Sequence, residues 1–132
     1  MIGLDTNVLV RFLVQDNTEQ CLLVDRLLQS FSAEQPGFIP LAVVVELVWV
    51  MQGSYGETKE GVIALLENFL QTKELVVENA QVVAEAVRIY GSSIADFTDC
   101  LIERSANQAR CTQTLTLDAK AAKTAGMRRL EK

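Results

Sequence analysis

The chain has 132 residues, 49% of them hydrophobic, with 17 acids against 12 bases, a net charge of −5 and no histidine. That length fits one domain over residues 1–132 with a substantial core, and the acidic balance excludes nucleic-acid binding by bulk charge, so such a substrate needs a local patch. Without histidine, Ser-His-Asp and Cys-His catalysis, imidazole-based phosphodiester cleavage and histidine-ligated zinc or iron are excluded within this chain, and a metal has to sit on oxygen, which suits magnesium or manganese.

Residues 1–4 form an apolar run too short for anything but a strand, and it stops at Asp5. Met1 directly precedes it, so no signal or transit peptide is expected. The longest apolar run, residues 41–51, is too short to span a bilayer and includes Glu46. The expectation is a cytoplasmic protein with no membrane association. Thr6 and Asn7 open a segment with Val8, Leu9, Phe12 and Leu13 at helical spacing, which predicts a helix over 7–14. Two readings of Asp5 stay open. A carboxylate at the carboxyl end of a strand can hold a cation or polar ligand, and Asp-Thr-Asn is also ordinary helix-capping chemistry.

The turn cluster at 15–18 precedes a second amphipathic helix that ends near Ser32. Phe38 and Ile39 make a short strand, and Pro40 fits the start of a third helix over 41–51. Glu46 on that helix has Ala42, Val43, Trp49 and Val50 as lateral neighbours, all apolar. It therefore lies either on a thin exposed stripe or in a polar pocket at the edge of the core. Residues 53–56 break the pattern, a fourth helix follows over 58–72, and a strand over 75–77. Asn79 is a plausible cap for a fifth helix closed by Gly91, with Glu78 and Glu85 as solubility charges.

A sixth helix is expected over 94–109, with Asp96, Asp99 and Glu103 on one face. Asp96 suits an N-terminal charge answering the helix dipole, whereas Asp99 beside it is repelled unless a cation intervenes. Threonines alternate through a strand over 112–117 that ends on Asp118, before a helix over 119–125, Gly126 and a last short strand at Arg129 and Leu130. Lys120, Lys123, Arg128, Arg129 and Lys132 concentrate five bases in the last thirteen residues, a cluster whose commonest meaning is a solvated basic tail. Cys21, Cys100 and Cys111 lack C-x-x-C spacing and read as small buried hydrophobes rather than as disulfide or zinc partners. This alternation of strands and helices predicts an α/β protein with a mostly parallel sheet covered on both faces. Asp5, Glu46, Asp99 and Asp118 would converge at one mouth, strongly repulsive without a divalent ion.

D-T-N-V-L at Asp5, Glu46 in V-V-V-E-L-V-W-V, the A-D-F-T-D-C-L-I run and T-L-D ending on Asp118 resemble, as an ordered set covering the chain, the motifs of the PIN-domain ribonucleases. Among these the chain is most similar to the VapC toxins of prokaryotic toxin–antitoxin pairs. The resemblance implies a three-layer α/β/α PIN domain with a central, mostly parallel sheet. It implies a Mg2+- or Mn2+-dependent endoribonuclease, a homodimer, an RNA substrate cut to 5′-phosphate and 3′-hydroxyl ends, and neutralisation by a VapB-type antitoxin. Carried over by position, the metal-holding acids are Asp5, Glu46, Asp99 and Asp118, with Thr6, Asn7 and Thr116 in support. Asp96 has a spacing that also suits the third acid. Cys100 stands where alanine is more usual, a small-for-small change. A receiver-like phospho-acceptor module fails because Thr6, not a second acid, follows Asp5. A catalytically inactive PIN-like scaffold or binding module is the remaining alternative, and it should lack an acid, whereas none is missing.

Overall fold

Parallel strands alternate with helices along the chain, the α/β class expected from its sequence. The structure is a computed structural model that describes residues 1–131, so Lys132 of the expected basic cluster lies outside the described residues. Contacts divide the chain into two compact units, one of Met1–Glu78 and one beginning at Asn79.

The first unit runs β1 (Ile2–Gly3), α1 (Thr6–Leu13), α2 (Thr18–Gln29), β2 (Gly37–Ile39), α3 (Leu41–Tyr55), α4 (Lys59–Gln71) and β3 (Leu75–Val77). Its sheet has the order β1-β2-β3 with both pairings parallel, Ile2 opposite Gly37 and Phe38 opposite Val76. Gly37 is required there, because a Cβ would come within 2.6 Å of the Phe31 ring. Leu9, Ile39, Leu47, Val48, Val62 and Leu66 are almost completely buried. Asn17 caps α2 through Gln20 N–H at 3.0 Å, and the Thr58 hydroxyl caps α4 through Gly61 N–H at 3.0 Å. The third helix runs past its expected end at residue 51. An exposed Gly53 costs about 1 kcal/mol in a helix interior, which packing overrides, and the stop comes at Gly56, whose φ of +64° supplies the left-handed cap.

The second unit comprises α5 (Ala80–Gly91), α6 (Phe97–Gln108), β4 (Leu115–Thr116), α7 (Ala119–Thr124) and β5 (Arg128–Arg129). Here α5 packs on α6, with the Tyr90 and Phe97 rings edge to face at 5.9 Å. The sixth helix starts three residues later than expected. The Ser93 hydroxyl accepts from Ala95 N–H at 2.9 Å and Asp96 is extended, so residues 93–96 form a turn and cap. Strand β4 is shorter than the expected 112–117, because it pairs only where β5 runs beside it, Leu115 opposite Arg128 and Thr116 opposite Arg129. Asn79 does stand at the cap of α5, but left-handed at φ +50° and without a side-chain bond. Cys21 and Cys100 are buried as expected; Cys111 is exposed, in the turn after α6. Among the described residues no helix is long and apolar enough to cross a membrane.

Candidate active site

In the first unit the carboxyl edge of the sheet carries the expected residues. The Leu4 N–H donates to the Phe38 carbonyl at 2.9 Å, holding the chain on β2 until Asp5 turns it into α1. Asp5 is the N-cap, its Oδ1 accepting from Thr6 N–H at 2.8 Å while its carbonyl accepts from Val8 N–H at 3.1 Å. Thr6 is only 3% exposed, and its hydroxyl donates a short hydrogen bond to Glu46 Oε1 on α3, forty residues away. Of the two settings left open for Glu46, the structure has the exposed stripe, shared with Ala42 and Trp49. Thr6 anchors it there. Asn7 is exposed in the first turn of α1.

Glu78, read from sequence as a solubility charge, has a structural task. Pro40 is the N-cap of α3 and has no side-chain acceptor, so the Glu78 carboxylate takes the Leu41 N–H at 2.7 Å. The bare proline cap was the signal in the sequence. The Glu78 N–H continues the sheet by donating to the Ile39 carbonyl at 2.9 Å.

In the second unit Asp96 is the N-cap of α6 and exposed, whereas Asp99, in the first turn, is half-buried. Burial, and then the charge of Asp96, push the Asp99 carboxyl above the usual aspartate range; a hydrogen bond from the Asp96 backbone opposes the rise, and Asp118 adds to it. Asp99 is thus within electrostatic reach of both Asp96 and Asp118. Asp118 caps α7, its Oδ1 accepting from Lys120 N–H at 2.8 Å. The Thr116 hydroxyl accepts from Asp118 N–H at 3.0 Å, which fixes the turn that presents that carboxylate. Glu103, placed by sequence on the face of Asp96 and Asp99, is 8% exposed and forked by the Arg104 guanidinium, which also lies 3.6 Å from Glu85. Glu85 is therefore an ion-pair partner and not a free solubility charge.

Among the described residues no three Asp, Glu or Cys side chains lie close enough together to hold a metal ion. The donors fit a hard divalent cation all the same: they are oxygens only, and Mg2+ keeps several waters and needs only one or two carboxylates besides substrate phosphates. The Asp99 carboxyl is raised first by burial and then by the charges of Asp96 and Asp118, and a cation beside it would oppose each of these. The cleft of about 290 Å³ lined by Leu9, Phe12, Leu28, Phe31, Phe69 and Leu75 is apolar and offers little to a phosphate.

An α/β chain of parallel strands with aspartates ending its first and fourth strands matches the PIN domain family over residues 2–127, and the chain belongs to that family. It is similar to a protein described as VapC ribonuclease from Aquifex aeolicus (strain VF5), with 28% identity over 99 residues that cover 74% of this chain and 73% of that one. No solved structure matches significantly.

Proposed function

We propose that the chain acts as a single PIN domain over residues 1–132 and is a VapC-like endoribonuclease, hydrolysing RNA phosphodiester bonds with Mg2+ or Mn2+. The observation that carries this reading is the match to the PIN domain family over residues 2–127, in a chain that keeps an acid at each of the four family positions. Asp99 and Asp118, with Asp5 and Glu46 by family position, are the metal-holding acids. Those acids would hold a divalent ion, whose chemistry there would be to activate water and to neutralise charge on the phosphate. Thr6 holds Glu46 in one orientation by its hydroxyl, and Thr116 fixes the turn before Asp118. Asp99 is favoured over Asp96 as the third acid, because its half-buried carboxyl gains most from a cation, whereas Asp96 is exposed at the cap. The similarity to a VapC ribonuclease supports a VapB-type antitoxin as partner and a homodimer in the cytoplasm.

Purified, partner-free protein is expected to cut single-stranded RNA with Mn2+ or Mg2+ and to stop in EDTA. Equal cutting in EDTA overturns the mechanism.

A further inference from the structure

Charge is divided unevenly along this chain. Residues 1–78 carry eleven acids and four bases, whereas residues 79–132 carry six acids and eight bases. A polyanion is repelled by the first set and needs the second. Four of the eight bases, Lys120, Lys123, Arg128 and Arg129, stand on α7 and β5, two elements packed on each other, and all four are exposed. None of these four is a cation in an ion pair of the described residues, so their charges are not consumed within the protein. Arg128 donates to Gln113 Oε1 at 3.1 Å, a neutral partner that leaves its charge in place.

Their placement runs up to one of the acids. Lys120 and Lys123 are three residues apart on α7, on the side away from the buried Ala121 and Ala125. Strand β5 lies parallel to β4 with Arg129 opposite Thr116, and the Leu130 N–H donates to the Thr116 carbonyl at 2.7 Å. Asp118 follows two residues after Thr116, about 7 Å along an extended chain, and caps the helix that carries both lysines. Lys120 and Lys123 on α7 and Arg129 on β5 therefore stand on the two elements next to Asp118, while Arg128, adjacent to Arg129 on the strand, belongs to the opposite face. They are fixed on a helix and a strand, which separates them from the solvated tail that their sequence clustering suggested.

We propose that α7 and β5 form a phosphate-binding strip for single-stranded RNA, leading the strand to Asp118. The proposal rests on the ribonuclease reading and adds to it where the substrate backbone is held. Lysines act on phosphates as point charges and Arg129 as a bidentate fork, so the strip positions RNA without reading sequence. Positive charge complements an acidic peptide as well, and the assay separates the two.

Binding of a labelled single-stranded RNA oligonucleotide is measured by fluorescence anisotropy in EDTA, where nothing is cut, over a series of salt concentrations. Each cation on a single strand contributes about 0.7 to the slope of log K against log salt, so Lys123→Ala with Arg129→Ala should lower that slope by about 1.4 and weaken binding. Lys120→Gln with Lys123→Gln, on α7 alone, should do the same. Arg26→Ala with Lys73→Ala, exposed bases of the first unit, should leave the slope unchanged. An unchanged slope in the α7 and β5 variants, with metal-dependent cutting retained, overturns the strip and leaves the ribonuclease reading standing. Loss of binding to a polyglutamate peptide with RNA binding intact also overturns it, in favour of an acidic protein partner. A wild-type protein that neither binds nor cuts RNA removes the ribonuclease reading itself.

Discussion

Replacing Arg104 by methionine removes the cation that answers two acids at once. Its Nε lies 3.0 Å from Glu103 Oε1 and its Nη2 2.9 Å from Oε2, while Nη1 is 3.6 Å from Glu85 Oε1. The hydrogen bond to Glu103 raises the guanidinium above its ordinary pKa; burial opposes this, and the charges of Glu103 and Glu85 add to it. Removing one partner of a buried pair costs about 3–5 kcal/mol, because the other charge stays desolvated. Glu103 is 8% exposed, but the Arg104 side chain is 22% exposed and borders a polar cavity of about 320 Å³ with Asn107, Thr112 and Thr114. Water can follow the guanidinium out, which reduces the expected loss to about 2–3 kcal/mol. In a domain of this size that corresponds to roughly 10 °C in Tm. Adding Glu103→Gln removes the stranded charge, so the double variant should recover about 1–2 kcal/mol relative to Arg104→Met alone. Glu85→Ala, which loses a longer and partly exposed contact, should cost about 0.5 kcal/mol. Urea titrations followed by far-UV circular dichroism at a common slope m read wild type, the Glu103→Gln single variant and these three variants. An Arg104→Met protein as stable as wild type, or a double variant at the sum of the single losses, refutes the reasoning.

Asp99 should make the metal-free protein less stable as pH rises. Its raised folded pKa means that the folded state holds the proton more tightly than the unfolded chain, so stability falls as pH climbs from the ordinary aspartate range through the raised pKa. Asp99→Asn should therefore unfold at higher urea than wild type at neutral pH in EDTA and at the same urea below that window; no gain at neutral pH contradicts the burial and repulsion assigned to it. In RNA cleavage, Asp99→Asn should lose more activity than Asp96→Asn, and the reverse order means that the exposed cap is the third acid. Asp5→Asn should abolish cleavage but unfold normally, since asparagine caps a helix as well as aspartate; a protein that unfolds early would assign Asp5 to capping alone. Glu78→Ala should cost about 1 kcal/mol by leaving the Leu41 N–H without its acceptor, and Glu78→Gln much less, as measured by urea midpoints.

What the sequence made legible was local. Apolar residues at helical spacing located most of the helices, and an apolar run ending on Asp5 and alternating threonines ending on Asp118 located two strands with the turns that follow them. The boundaries that moved were set by partners distant in the chain. Strand β4 is as short as it is because β5 meets it only at Leu115 and Thr116, and α3 passes Gly53 because Leu47, Val48 and Met51 are held by the core. The bare Pro40 cap signalled that Leu41 needs an acceptor but not that Glu78, 37 positions later, supplies it. Glu103 was misplaced for a different one. A three-and-seven spacing puts it beside Asp96 and Asp99 on an ideal helical wheel, but only the packing of α6 decides which flank of that face is covered, and Glu103 is on the covered flank with Arg104 beside it.

The choice that the sequence left open at Asp5, cap or ligand site, dissolves once the geometry is considered. A helix N-cap spends one carboxylate oxygen on a backbone N–H, Oδ1 on Thr6 for Asp5 and Oδ1 on Lys120 for Asp118, out of about four lone-pair sites on each group. The bond that caps the helix also fixes the rotamer of the carboxylate. That favours cation binding, since a ligand already oriented gives up less on coordination. Capping at the carboxyl end of a parallel strand thus prepares an aspartate for a metal. Asp99, proposed as the third metal-holding acid, is placed differently from these caps. It lies three residues into its helix, half-buried between Asp96 and the field of Asp118, with only the Asp96 backbone to offset the repulsion.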